Sequence, residues 1–388
     1  MAIRIRKPLW ASAGLAIFSL IATPANARNY ITQNVQIDWL GRGMDTAIGQ
    51  PKDKCVTGDW IQSGNRSSML YYNGEMHATD RMKQVSGSLS AGVDLFLFGG
   101  SVSTSMFTQM STNDTTSSAV VTLSYDAKDF SLENRSLTPL GLSMVGQSPA
   151  TIRENCGNEF IHHVKLGSDL YVAAKLHFRS KEEYELYKTK VKIKVLFWSK
   201  TKTITKEFYD YTENAVYSLK VLSPNGMTTK LQHLLDTQPT YCRTSEIGSC
   251  IDTSNAVFAY LFGGEYSSDV QDENLKVLSV LTQNYADSGH FQLDASTSGY
   301  MDPGYLQQQQ RLDLKLTEAV EFDESMAAFA AVSQTEQEKQ GYLDKQLLAQ
   351  ENQTYLQQGY DYCQAEPGYS ACKSKVDNTL LGLNPLRY

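Results

Sequence analysis

The chain has 388 residues, 41% of them hydrophobic and 20% charged, and carries a net charge of −7 at neutral pH. That is the composition of a folded, water-soluble protein. The negative balance argues against nucleic acid as a partner and opposes adsorption to an anionic membrane unless basic residues cluster locally.

At the start, Arg4, Arg6 and Lys7 precede an apolar run from about Leu9 to Ile21, and Ala25-Asn26-Ala27 follows as a small-x-small cleavage site. This order predicts a secretory signal peptide over residues 1–27. A membrane anchor fits less well, because the run carries Ser and Gly and is short of the ~20 residues that span a bilayer. Removing three basic residues and no acidic ones takes the net charge to −10. All six cysteines lie downstream, and an even count in an exported chain predicts three disulfides. Cys242 with Cys250 and Cys363 with Cys372 each bracket a loop containing Gly or Pro, which leaves Cys55 for Cys156. Zinc is disfavoured, since there is no CxxC pair and no histidine at ligand spacing.

Residues 28 to about 80 read as short strands and loops, with turn signals such as Asn73-Gly74. From Ser86, Leu89, Ala91, Val93, Leu95 and Leu97 recur at period two; a Ser/Thr-rich tract then runs to Ser118, and AVVTLSYD resumes as a strand. The whole reads as a hairpin with a polar tip. A second patterned segment sets Val191, Ile193, Val195 and Phe197 against Lys190, Lys192 and Lys194, an amphipathic strand. Taken alone, that pattern describes an exposed sheet strand with a solvated lysine face.

Further on, LQHLLD (231–236) and DTSNAVFAYLFGG (252–264) read as short helices, the second N-capped by Asp252 or Ser254 and stopped by Gly263-Gly264. Leu312, Leu314 and Leu316 at period two predict a strand, and the Gln-rich run from Met326 a helix. Residues 301–388 hold thirteen acidic and seven basic residues. The expected organisation is therefore a signal peptide (1–27), a main domain (28–270) and an acidic, Gln-rich C-terminal region (271–388) of strand plus helix, serving as targeting region or cover.

No catalytic constellation is present: no G-x-S-x-G elbow, no H-E-x-x-H and no phosphate loop. The expectation is that the chain is not an enzyme and needs no cofactor. His162 and His163, as neighbours in a strand, point to opposite faces and are a poor pair for one metal ion.

The stretch CGNEFIHHVKLGS (156–168) places two glycines ten apart in what otherwise reads as a strand. It resembles the signature of the membrane attack complex/perforin family and its cholesterol-dependent cytolysin relatives, of bacterial type. That signature runs aromatic, Gly, Thr or Ser, His, aromatic, six residues, then a Gly pair. Gly157, Phe160 and Gly167 match; Cys156, Asn158, Glu159 and Ser168 stand at the other positions. The order of the neighbouring segments is similar too, with 86–125 before the signature, DLYVAAKLHFRSKEE after it, then 186–220 and LQHLL.

The resemblance implies an α+β fold: a bent, twisted four-stranded antiparallel sheet flanked by two convertible clusters, each able to refold into a β-hairpin of a giant oligomeric barrel. Gly157 and Gly167 would then form a hinge with Phe160 packed beneath. Leu89, Val93, Leu95, Leu97, Val191, Ile193, Val195 and Phe197 would be the membrane-inserting candidates. Lys188, Lys190, Lys192 and Lys194 would dock on an anionic surface. The functional expectation is a secreted pore-forming toxin or effector that homo-oligomerises on a target membrane through a lipid or surface receptor. The alternative is a non-lytic secreted adhesin or glycan- or lipid-binding protein of the same fold. A weaker third is a secreted structural protein that assembles through its Gln-rich tail.

Overall fold

The structure is a computed structural model that describes residues 28–31, 37–46, 50–64, 67–73, 105–191, 206–223, 227–270, 275–293, 295, 303–365 and 369–387. The early turn-punctuated stretch forms β1 (Arg28–Ile31), β2 (Arg42–Asp45), β3 (Gln50–Lys54), β4 (Val56–Ser63) and β5 (Ser67–Asn73). AVVTLSYD lies inside a much longer strand, β6 (Thr116–Leu137). Two short helices follow, α1 (Pro139–Met144) and α2 (Pro149–Cys156). Each begins where Thr138 or Ser148 accepts a backbone N–H and a proline fills the first turn, where its missing donor would be unpaired anyway. The chain then returns as β7 (Glu159–His177).

Strands β6 and β7 pair antiparallel from Thr116 opposite His177 to Ser131 opposite His163. Each is long enough to take two partners on its outer side. β6 pairs β5 through Val120–Asp126 and β4 through Asp129–Leu137. β7 pairs β10 (Lys276–Asn284) through Glu159–Gly167 and β8 (Val216–Leu222) through Tyr171–His177. The central sheet is thus four strands wide at both levels, β4-β6-β7-β10 and β5-β6-β7-β8. β1 lies outside β10, β9 (Tyr241–Arg243) lies outside β8, and β2 meets β7 at Phe160. The fold is α+β, built on an open antiparallel sheet of ten described strands.

Both faces of β7 are covered. Leu170, Val172, Ala174 and Leu176 enter the main core with Tyr184, Tyr187, Val257 and Leu261, whereas Tyr171 and Ala173 pack on Met106, Phe107 and Met110. Those last residues belong to a helical stretch at 105–109 and the turn after it. Leu89, Val93, Leu95 and Leu97 lie outside the described residues, as do residues 1–27.

The second patterned segment differs from its strand reading where it is described. Lys188 and Lys190 belong to helix α3 (Lys181–Lys190), and Val191 caps its C-terminus. The Ser180 hydroxyl accepts from the Glu183 amide, Glu182 and Glu183 sit in the first turn and the lysines in the last, the charge order that the helix dipole favours. Lys192, Ile193, Lys194, Val195 and Phe197 lie outside the described residues. Helix α4 (Lys206–Thr212) then leads into β8.

LQHLL lies in α5 (Thr229–Thr237), capped by Thr228. The next helix, α6 (Gly248–Phe262), starts ahead of the expected Asp252 or Ser254. Thr253 and Ser254 turn their hydroxyls back onto the Ser249 and Cys250 carbonyls, so they ride inside the helix instead of capping it. Gly263 ends it, and α7 (Glu265–Asp269) follows.

The expected strand at 312–316 is helix. Residues 303–381 form α8 (Pro303–Ala331), α9 (Glu336–Ala365) and α10 (Tyr369–Leu381), with Thr335 accepting from the Glu338 amide at the start of α9. Leu312 and Leu316 are buried while Leu314 is 65% exposed, the i, i+4 signature of a helix face.

Disulfides join Cys55 to Cys156, Cys242 to Cys250 and Cys363 to Cys372. The first spans 101 residues, so on the chain-entropy account it stabilises most, by about 4–5 kcal/mol.

The helical assignment of 303–331 makes a direct forecast. Leu312→Ala should cost about 2–5 kcal/mol by leaving a cavity, whereas Leu314→Ala should stay within about 0.5 kcal/mol. Urea denaturation of both variants checks this, and equal losses would contradict it.

Candidate functional site

Helix α2 ends at Gly157, whose φ of +70° and ψ of −173° lie in a region essentially reserved for glycine. A Cβ here would fall 2.3 Å from the Met44 carbonyl. The close approach lets the Asn158 amide donate to the Met44 carbonyl at 3.0 Å, and the Asn158 side chain brackets Thr46, accepting from its amide at 2.8 Å and donating to its hydroxyl at 2.7 Å. Cys156 is bonded to Cys55, and its carbonyl accepts from Tyr285. Phe160 is fully buried against Tyr285, 5.3 Å between ring centroids, with the Arg135 guanidinium 5.6 Å from its ring. Glu159, also buried, accepts from Thr282 of β10. The two histidines do face different partners: His163 bonds Ser131 and Asp129, whereas His162 lies by Arg135. Burial first, then Arg135 and His163, push the His162 pKa down to about 4.

Gly167 marks a joint. On β7 the outer partner changes from β10, whose first residue lies opposite Gly167, to β8, whose last residue lies opposite Tyr171. On β6 the change from β4 to β5 falls between Asp129 and Asp126, and the β6–β7 register slips between Asp126 and Lys128, opposite Gly167 and Leu166. A Cβ on Gly167 would sit 2.3 Å from the Tyr125 carbonyl and 2.6 Å from Leu278. Ser168, next along, shares a 2.7 Å hydrogen bond with Tyr266 of α7. Every non-matching residue of the signature therefore has a structural partner, and together they tie the start of β7 and its joint to β2, β10 and α7.

Beyond the joint, the four strands β5-β6-β7-β8 end together. Asn73 pairs near the top of β6, Thr116 opposes His177, and His177 opposes Val216. The connections β5–β6 (74–115) and β7–β8 (178–215) consequently leave the sheet at one end. The membrane-inserting candidates from both patterned segments belong to these two connections. Lys188 in α3 pairs with Glu185 at 3.3 Å and lies 5.0 Å from the Tyr184 ring.

A buried polar cluster on the odd-numbered face of β7 escaped the sequence reading. Glu324 of α8 bonds Lys175 of β7 at 2.7 Å and Lys220 of β8, while His177 contacts Ser325 and Ser218. Burial would raise the Glu324 pKa, but Lys175 and Lys220 outweigh it and hold the carboxyl below its usual range. Burial, then Lys175, push His177 down to about 3. The one available signal was Lys175 itself, a lone lysine inside the apolar run LYVAAKLHF. One turn before Glu324, Glu321 lines a cavity of about 500 Å³ with Asn113, Phe322 and Leu383. Desolvation pushes its pKa up to about 7, against the pull of Lys175.

No protein-family model and no curated protein matches the chain. Among solved structures, it is similar to stonustoxin (11% identity, 91% of this chain and 46% of that one, TM-score 0.36). It is also similar to a cell invasion protein with a MAC/Perforin domain from Bacteroides thetaiotaomicron (10%, 75% and 63%, 0.29) and to GNIP1Aa from Chromobacterium piscinae (12%, 77% and 57%, 0.35). The chain spans roughly half of the length of these proteins.

Two outcomes follow from the geometry. Gly157→Ala should destabilise by at least ~1–2 kcal/mol from the left-handed backbone alone, with the Met44 clash adding to it, read as a lowered denaturation midpoint. Glu321 has a folded-state pKa above its unfolded one, so its stabilising contribution is present below the ordinary carboxylate range and is lost as pH rises through about 7. Glu321→Gln should therefore raise the melting temperature at pH 8 and change it little at pH 4.

Proposed function

We propose that the chain is a secreted pore-forming protein that oligomerises on a target membrane and inserts β-hairpins into a shared barrel. The reading rests on one observation: two long connections, of 42 and 38 residues, leave adjacent pairs of a four-stranded antiparallel sheet at the same end. If each connection straightened, it would extend its two strands as a hairpin in the register that β6 and β7 already set. A membrane-spanning strand needs about ten residues, so each connection has enough chain for two. Inside a bilayer every backbone donor and acceptor must be paired, which an open sheet cannot do and a barrel closed by many subunits can. The alternating residues in both connections suit a wall with one lipid face and one aqueous face. Among the described residues no helix is long and apolar enough to cross a membrane. The predicted signal peptide and three disulfides fit export to an oxidising compartment.

One feature favours the non-lytic adhesin or glycan- or lipid-binding reading: Asn158, Glu159 and Ser168 fasten the signature strand to its neighbours.

Dye release from vesicles of phosphatidylcholine, phosphatidylserine and cholesterol, with electron microscopy of the same sample, separates the two. Leakage with rings is expected; binding without either supports the non-lytic protein. Ile193→Asp on the proposed lipid face should abolish leakage, at a cost of about 2 kcal/mol per subunit at mid-membrane, repeated around the ring, while Lys192→Asp on the lumen face should be tolerated. Equal behaviour of the two would mark the segment as an ordinary soluble strand.

A further inference from the structure

The helical stretch at 105–109 is held between the sheet and α8. Its inner side chains, Met106 and Phe107, pack with Met110 on Val120, Tyr171 and Ala173. Its outer side meets α8, where the Thr108 and Thr317 hydroxyls lie 3.5 Å apart. The two lysines seated on Glu324 also reach this stretch, Lys175 donating to the Thr108 carbonyl and Lys220 to the Gln109 side chain, each at 3.4 Å. One buried carboxylate therefore joins the C-terminal helices, strands β7 and β8, and the end of the first long connection.

We infer that α8 is a latch on the first convertible connection: residues 105–115 stay folded while Glu324 is seated, and α8 must lift before they can extend β6. The inference rests on the pore-forming reading for its purpose, though not for its geometry. Residues 105–115 immediately precede Thr116, so β6 cannot lengthen backwards until they leave the sheet face. Their departure strips Lys175 and Lys220 of two acceptors and opens Glu324 to water. A buried ion group of this kind is stable with all partners seated and costly with one missing, which makes release a discrete step. The other charged or titratable groups facing the cluster are His177 on β7, Tyr241 on β9, and Glu321 and Asp323 on α8.

Two full-length variants test this. Thr108→Cys with Thr317→Cys replaces two hydroxyls 3.5 Å apart by thiols that can bond and tie the connection to α8. Oxidised, it should bind vesicles as the wild type does but release dye at least tenfold less; a mild reductant should restore release, with equally treated wild type as control. Oxidised protein that leaks like wild type overturns the latch while leaving the pore intact. Glu324→Gln, in free monomer without membrane, should speed amide exchange across residues 105–120 at least tenfold and leave α1 and α2 unchanged. Unchanged exchange overturns the latch. If wild type never leaks, the pore-forming reading fails, and the exchange measurement alone decides the latch.

Discussion

The pairing of β6 with β7 is the constraint on which the rest of the molecule depends. The two strands share a register from Thr116 to Ser131 and from His163 to His177, and β4, β5, β8 and β10 each attach to one of them. Because side chains alternate, a one-residue slip would exchange the two faces of β7. Leu170, Val172, Ala174 and Leu176 would then leave the main core, and Lys175 would enter it without Glu324. The single irregularity in this pairing falls at Gly167, where the outer partners also change. The sheet is thus two four-stranded panels sharing two strands, joined where a side chain would not fit.

The fastenings around the joint are of two kinds. On one side are a disulfide, a glycine-only backbone and neutral or charge-assisted hydrogen bonds from Asn158, Glu159 and Ser168. On the other are buried charges, with Lys175, Lys220 and Glu324 balanced only as a set. The first kind does not come apart without local unfolding or reduction. The second is lost all at once when α8 withdraws, because each ion depends on the others for solvation. A molecule that must keep its lower panel and free its upper end would be arranged in this way.

Some local signals were legible because the residues involved are close in sequence. The caps at Thr138, Ser148, Ser180 and Thr228 are equally local, each side-chain oxygen lying within three residues of the amide it accepts from, yet the only cap expected from the sequence, Asp252 or Ser254, falls inside α6. The two short-range disulfides bracket loops, and the third pairing followed from the count. Gly157 and Phe160 were marked by spacing and by the family resemblance. Period two misled at Leu312, Leu314 and Leu316, because i and i+4 lie on one face in a helix as well as in a strand; burial of the outer two and exposure of the middle one separates the cases.

By itself, the sequence determined the short strands of the N-terminal part, the alternation along the two long connections and the glycine positions of the signature stretch. Each of these is decided by a residue's own backbone or its near neighbours. Tertiary structure alone decided that the two connections leave the sheet at the same end, that Gly167 lies at the joint, and that Lys175 meets Glu324, 149 residues away. Contacts at such separations leave no periodicity in the chain: a buried lysine and its carboxylate are each locally out of place, and only the packing of α8 against β7 makes them complementary.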